Sequence, residues 1–96
     1  MSERPSKVFA TKRAERDLRR APRHIQERFQ VWVDAVEVLG LRQARLNRGL
    51  HDEPLHGDRK GQRSVRLNQQ WRAVYRETET HEMIVVKVEE VTPHAY

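Results

Sequence analysis

The sequence contains no cysteine, and no stretch of it approaches the roughly twenty consecutive apolar residues that a membrane-spanning helix needs. The first absence excludes disulfide bonds, thiolate metal sites and a thiol nucleophile, and it suits the reducing environment of the cytoplasm. The amino-terminal residues also lack the apolar segment of a secretory signal peptide. We therefore expect a soluble cytoplasmic protein that makes no use of a membrane.

Size and charge narrow the function classes further. With 96 residues, the chain is expected to form one domain, residues 1–96, with one core and one functional site. It carries 19 Lys and Arg residues against 14 Asp and Glu residues, with a net charge of +5 and a pI near 10.2. This excess favours a polyanionic partner such as nucleic acid, an acidic protein or an anionic membrane surface, although solubility alone would also account for it.

The first half of the chain has helical patterns. Thr11 is a suitable N-cap for a basic helix over Lys12–Arg20. A second helix is expected to have Pro22 at its first position and to end at Gly40. Its apolar residues recur at spacings of three and four, which predicts one buried face: Ile25, Phe29, Val33, Val36 and Leu39. Trp32 lies close to this stripe, which favours a packing role over stacking on a nucleic-acid base.

After a third, short helix predicted at Leu41–Leu46, the hydrophobic period changes from helix to strand. Alternation or dense β-branched residues predict strands at Arg63–Leu67, Trp71–Tyr75 and Met83–Val91, joined as antiparallel hairpins. Lys7–Ala10 is a further strand candidate. The expected fold is a small α+β domain, with an N-terminal strand and two to three helices packed on a C-terminal antiparallel sheet of three to four strands.

Two arginines are expected to converge on this sheet. If Asn68–Gln70 is a tight turn, Arg66 and Arg72 face each other across strands about 4.8 Å apart. Facing like charges are unfavourable, so a carboxylate of the protein or a phosphate of a ligand should neutralise them. The candidate carboxylates within the chain are those of Glu53, Glu77 and Glu90.

The histidines near the middle of the chain resemble a metal site only superficially. His51 and His56 lie close to Glu53 and Asp58, but their spacing matches no known metal-binding motif, so we expect no metal and no cofactor. His94 is more informative, because it follows the last predicted strand at the carboxyl end of the chain.

The order of parts resembles a known family. A helical pair followed by EPLHGDRKGQRSVRLNQQWRAVYRE and then by EEVTPHAY is similar to the RelE/ParE toxin superfamily, in particular its YoeB-like and HigB-like branches. The resemblance rests on the EPLHGD turn, the SVR and WRAVY hairpin, and the closing His and Tyr. It implies a small basic toxin encoded with an antitoxin. Many members cleave messenger RNA on the ribosome without a metal, while the ParE branch inhibits DNA gyrase.

The resemblance also implies roles for individual residues. Glu53 matches the general base, Arg72 the arginine that holds the scissile phosphate, and Arg66 a second basic position. His94 matches the general acid, with Tyr96 as the nearby hydroxyl. His56 stands where the family pattern has lysine, and it could share the role of base with Glu53.

This set suits RNA cleavage by the adjacent 2′-hydroxyl, which needs a base, cations at the phosphate and an acid for the leaving 5′-oxygen, and which yields a 2′,3′-cyclic phosphate. Basic residues outside the site would bind RNA phosphates: Lys12, Arg13, Arg16, Arg19, Arg20, Arg23, Lys60 and Arg63. The expected partners are an antitoxin, messenger RNA and the ribosome, with operator DNA contacted only through the antitoxin. The alternatives are a gyrase inhibitor of the ParE type and an inactive RNA-binding domain.

Overall fold

The computed structural model describes residues 4–93, in which three helices pack on one face of a five-stranded mixed sheet. In chain order the elements are β1 (Ser6–Ala10), α1 (Lys12–Arg20), α2 (Arg23–Leu39), α3 (Leu41–Arg45), β2 (Glu53–Pro54), β3 (Arg63–Arg66), β4 (Arg72–Glu79) and β5 (Ile84–Thr92). Two short 3-10 turns, Arg48–Leu50 and Gly57–Arg59, lie on either side of β2 in the chain.

The sheet confirms the α+β fold predicted from the sequence. Its strand order is β1-β5-β4-β3-β2, with β1 parallel to β5 and all other neighbours antiparallel. The apolar run of β5 predicts a central strand. β5 is hydrogen bonded on both sides, but β4 is the central strand of the five. The sequence patterns do not predict β2, because two residues are too few for an alternation to be recognised.

Both long helices begin and end close to their predicted bounds. The side chain of Thr11 caps α1 by accepting a hydrogen bond from the backbone N–H of Ala14 at 3.1 Å. Pro22 precedes α2 as its N-cap and is not the first helical residue. The third helix, α3, is confirmed to within one residue of its predicted end.

The buried face of α2 differs in two positions from the predicted stripe. Ile25, Phe29, Trp32 and Val36 are buried, whereas Val33 is half-buried and Leu39 is 56% exposed. The chain turns at Gly40, which has a φ of 89°, so that the next residue, Leu41, enters the core in place of Leu39. The packing role expected for Trp32 is confirmed, because its ring lies 5.8 Å from that of Phe29 and 5.5 Å from that of Tyr75.

The core lies between the helices and one face of the sheet. On the sheet side it contains Val65, Ala73, Tyr75, Val86 and Val88. Because side chains alternate along a strand, the residues between them point to the opposite face. Within residues 4–93, no helix is both long enough and apolar enough to cross a membrane.

The finding that Trp32 is buried on α2 whereas Leu39 is exposed can be tested by measuring the free energy of unfolding. Trp32→Ala removes a side chain that is 2% exposed and should lower the free energy of unfolding by about 3–5 kcal/mol. Leu39→Ala, at the exposed end of the same helix, should lower it by less than about 1 kcal/mol. Urea denaturation of both variants checks this, and a larger loss for Leu39→Ala would contradict the assignment.

Candidate functional site

The hairpin of β3 and β4 brings Arg66 and Arg72 together as the sequence predicts. The two residues are direct partners in the antiparallel register, and both are half-buried. The turn between the strands is closed by hydrogen bonds from the backbone N–H of Leu67 to the carbonyl of Trp71 and from the N–H groups of Gln70 and Trp71 to the Asn68 side chain. The tight turn expected at residues 68–70 is therefore confirmed.

Strand alternation places both arginines on the face of β3 and β4 opposite to Val65 and Ala73. Their neighbours Val65 and Ala73 are fully buried in the core, so Arg66 and Arg72 point the other way. We call this the open face. Glu53 is paired with Ser64, two residues before Arg66, and therefore lies on the open face as well.

The carboxylates that could neutralise the two arginines are engaged elsewhere. Glu77 forms an ion pair with Arg45 at 2.5 Å, and Glu90 forms one with Arg59 at 2.5 Å. Glu53 is exposed and makes no ion pair within residues 4–93. Of the two alternatives that the sequence leaves open, neutralisation by one of these glutamates is therefore not found in the part of the chain that the structure describes.

Arg66 and Arg72 consequently face each other without a counter-charge from residues 4–93. The Nε of Arg66 is buried and has no hydrogen-bond partner. A buried donor left unpaired is unfavourable, and so are like charges on directly opposite strand positions. An anion bound between the two guanidinium groups would relieve both costs, and a phosphate matches their planar, forked donors.

The carboxyl end of β5 lies at the same end of the open face. Thr92, the last residue of β5, is the partner of Arg72 in the register. His94 and Tyr96, the predicted general acid and the nearby hydroxyl, lie outside the described residues. His56 is exposed at the start of the second 3-10 turn.

One residue predicted to bind RNA lies on the other face of the sheet. Arg63 is the register partner of Tyr75, and its Nε donates to the carboxylate of Asp52 at 2.7 Å. The Tyr75 hydroxyl donates to the same carboxylate at 2.5 Å. Burial, together with the nearby Asp52 charge, raises the pKa of Tyr75 well above its ordinary value, so the hydroxyl remains a donor. No local pattern in the sequence indicates this cluster, because its members come from separate elements.

The other basic residues predicted to bind RNA are exposed, and most of them lie on α1. Arg13 is near Glu90 at 3.5 Å and Asp17 at 3.9 Å, and Arg23 is 3.9 Å from Glu27. The remaining ones make no ion pair within the described part of the chain: Lys12, Arg16, Arg19, Arg20 and Lys60. No group of three or more His, Cys, Asp or Glu side chains that could hold a metal ion is found among residues 4–93.

Substitution of two arginines on neighbouring strands should have different effects on stability. Arg63→Gln removes the closest cation from the buried Asp52 and should lower the free energy of unfolding by roughly 2–4 kcal/mol, since Arg45 remains nearby. Arg72→Gln removes one of two facing like charges and should leave that free energy within about 1 kcal/mol of the parent, or raise it. Urea denaturation at low ionic strength distinguishes the two, and equal losses would contradict the charge assignment.

Comparison with known proteins gives both a family and structural neighbours. The family model of the ParE toxin of the type II toxin-antitoxin system parDE matches residues 8–90. YafQ from E. coli strain BL21(DE3) is 16% identical with a TM-score of 0.70, and the match covers 96% of this chain and 94% of YafQ. A YoeB/ParE toxin from Agrobacterium tumefaciens is 23% identical with a TM-score of 0.66, covering 93% and 99% of the two chains. No curated protein sequence is significantly similar to this chain.

A chain of the toxin-antitoxin complex RelBE2 from Mycobacterium tuberculosis is 26% identical, with a TM-score of 0.58 and coverage of 94% of this chain and 99% of that one. YafQ and an archaeal RelE have likewise been crystallised in complexes with their antitoxins. The family match spans all of α1 to α3 and includes the open face with Glu53, Arg66 and Arg72. The chain therefore belongs to the ParE toxin family of type II toxin-antitoxin systems, within the RelE/ParE toxin superfamily.

Proposed function

We propose that the protein is an endoribonuclease toxin that cleaves messenger RNA, on the ribosome, without a metal ion. The observation that supports this most is the pair of facing arginines, Arg66 and Arg72, which have no counter-charge within residues 4–93 and share the open face with Glu53. A phosphodiester of RNA supplies the missing anion. A phosphodiester bound there would also lie on the same face of the sheet as the Glu53 carboxylate.

The reaction needs three functions, and the chain has a candidate for each. Glu53 takes the proton from the 2′-hydroxyl, whose oxygen then attacks the adjacent phosphorus. Arg66 and Arg72 donate to the phosphate oxygens, where negative charge increases in the transition state. His94, two residues beyond Thr92 in the sequence, protonates the leaving 5′-oxygen. The products are a 2′,3′-cyclic phosphate and a free 5′-hydroxyl.

Two further residues belong to the proposed site. His56 follows Glu53 by three residues and is exposed, so it is the second candidate for the general base. Tyr96 is assigned the supporting hydroxyl near His94, on the strength of the family resemblance.

RNA outside the cleaved bond binds to the exposed basic residues of α1. Lys12, Arg16, Arg19 and Arg20 contribute most, because Arg13 and Arg23 are already close to carboxylates. Contacts of this kind give affinity without sequence preference. The cognate antitoxin, an expected partner of any toxin of this class, competes for the same positive surface and carries the complex to its operator DNA.

A second candidate function follows from which family model matches. The model is that of ParE, the branch that the sequence resemblance associates with gyrase inhibition, and a pure inhibitor would bind its target without using Glu53 or His94. An RNA-binding domain without activity is the third reading. Cleavage assays separate the first function from the other two, and gyrase-dependent DNA damage separates the second from the third.

The central test is single-turnover cleavage of an RNA substrate in the presence of EDTA. Arg72→Ala should lower the cleavage rate by roughly 10²-fold or more, with a much smaller change in binding, because the phosphate gains charge in the transition state. His94→Ala should lower it by roughly 10² to 10⁴-fold. Replacing the scissile 5′-oxygen by sulfur should rescue His94→Ala but not Arg72→Ala, since a thiolate leaves without protonation.

The growth of cells that express Arg72→Ala or His94→Ala provides a second test. If both variants fold and still arrest growth as strongly as the parent protein, the endoribonuclease proposal fails. Gyrase-dependent DNA damage in those cells would then favour the ParE-type inhibitor. A requirement for added zinc or manganese in the cleavage of a minimal substrate would overturn the metal-free mechanism.

The role of α1 has a separate test based on salt. Arg16→Gln combined with Arg19→Gln should weaken RNA binding and reduce the slope of log affinity against log salt by about 1.4, if each arginine neutralises one phosphate of a single strand. The cleavage rate of bound RNA should be nearly unchanged. The single-substitution control is Arg23→Gln, a charge already close to Glu27, which should alter the slope by less than the roughly 0.7 expected for one neutralised phosphate. An unaltered slope in the double variant would exclude α1 as the RNA surface.

A further inference from the structure

The residue before Glu53 has a carboxylate that is almost completely buried. The Asp52 side chain is 1% exposed, on the helix side of the sheet. Its Oδ1 accepts a hydrogen bond from Arg63 Nε at 2.7 Å, and its Oδ2 accepts one from the Tyr75 hydroxyl at 2.5 Å. Arg45 Nε lies 3.7 Å from Oδ1. Groups from α3, β3 and β4 thus hold one carboxylate.

The groups that hold Asp52 are themselves fixed. Arg45 Nη2 donates to the Tyr75 hydroxyl at 3.2 Å and to Glu77 Oε1 at 2.5 Å. The ring of Tyr75 packs against Trp32 in the core, with 5.5 Å between their centroids. Both carboxylate oxygens of Asp52 accept a hydrogen bond, although Arg45 Nε, 3.7 Å away, has no hydrogen-bond partner of its own. Hydrogen bonds to both oxygens of a buried carboxylate restrict it to few arrangements. The Asp52 carboxylate therefore has a well-defined position relative to the core.

The strand that carries Glu53 has little else to hold it. β2 comprises only Glu53 and Pro54, lies at the edge of the sheet, and has both residues exposed. The preceding residue, His51, adopts the left-handed conformation with a φ of 45°, which is unusual for a residue with a side chain. Such a conformation persists only where the surrounding structure determines it. Asp52 is the one neighbour of Glu53 that is anchored in the interior.

We propose that Asp52 is a positioning residue, whose buried carboxylate anchors β2 and thereby holds the Glu53 carboxylate on the same face of the sheet as Arg66 and Arg72. Successive side chains of an extended chain point to opposite faces, so an inward Asp52 directs Glu53 onto the open face. A hydrogen bond from Arg63 Nη2 to the Asp52 carbonyl, at 3.4 Å, ties the backbone at the same point. The inference rests on the proposed role of Glu53 as general base.

A double-mutant cycle between Asp52 and Glu53 tests this. Asp52→Asn keeps the shape of the side chain and removes its charge, which should let β2 move. The single-turnover cleavage rate should fall by roughly 10- to 100-fold with little change in RNA binding, because a displacement of about 1 Å at a catalytic group has that effect. In a Glu53→Gln background, Asp52→Asn should change the rate by less than about threefold, since there is no longer a base to position.

A readout that does not depend on activity accompanies the cycle. The backbone N–H of Leu55 donates to the carbonyl of Gln62 at 2.9 Å, just beyond β2. Asp52→Asn should speed the hydrogen exchange of this amide by about 10-fold or more beyond any increase seen in β4 and β5. Uniformly faster exchange across the sheet would mean that Asp52 only stabilises the fold, and the inference would be wrong.

Two variants serve as the second probe and the control. Tyr75→Phe removes the hydroxyl that donates to Asp52 but keeps the ring against Trp32, so it should reproduce the kinetic effect more weakly, and it replaces Asp52→Asn if that variant does not fold. Asp34→Asn, an exposed carboxylate of α2, should change neither the rate nor the exchange.

The outcomes separate this inference from the proposed function. If Glu53→Gln slows cleavage but Asp52→Asn is equally harmful in both backgrounds, the positioning role is overturned and the general base stands. If Glu53→Gln leaves cleavage unchanged, both the general-base assignment and the positioning role are overturned.

Discussion

The register between β3 and β4 is the constraint on which the rest of the structure depends. It places Val65 opposite Ala73 in the core and Arg66 opposite Arg72 on the open face. A slip by one residue would exchange the two rows and move the arginines into the apolar interior, at a prohibitive cost. The turn at Asn68, whose side chain accepts two backbone hydrogen bonds, fixes this register locally. Because Val65 and Ala73 must be buried, Arg66 and Arg72 are held opposite each other on the other face.

The acidic residues of the sheet are distributed so that this convergence is left without a counter-charge from residues 4–93. Glu77 pairs with Arg45, Glu89 with Arg76 at 3.0 Å, and Glu90 with Arg59. Each of these acids neutralises an arginine other than Arg66 or Arg72. Two facing cations lower stability, and the apolar core on the other side of the same strands compensates for them. Two arginines that residues 4–93 leave without a counter-charge can bind an anionic group.

The two faces of the sheet are connected by single residues next to each other in the chain. Asp52 belongs to the buried network with Arg63 and Tyr75, whereas Glu53 belongs to the open face. In the positioning role that we propose, the buried Asp52 carboxylate fixes the backbone that carries the exposed Glu53 carboxylate. This arrangement gives a two-residue edge strand a defined position, which its own ladder of hydrogen bonds is too short to provide.

Several elements are determined by local chemistry, and for that reason the sequence alone predicts them. The Thr11 cap, the period of α2, the turn after Gly40 and the alternation of β3 and β4 depend on neighbours within a few residues. The opposition of Arg66 and Arg72 follows from the same local rules, because a tight turn joins their strands. The resemblance to RelE/ParE toxins, read from the hairpin and the EPLHGD turn, is confirmed by the family match.

Other features were decided only by the tertiary structure, because they depend on residues far apart in the chain. The parallel pairing of β1 with β5, the existence of β2 and the entry of Leu41 rather than Leu39 into the core are of this kind. The choice of ion-pair partners is also decided by the tertiary structure. Composition gives a net excess of basic residues. Only the fold determines that Arg63 pairs with the buried Asp52 while Arg66 and Arg72 have no ion pair within residues 4–93, since pairing depends on which side chains meet in space.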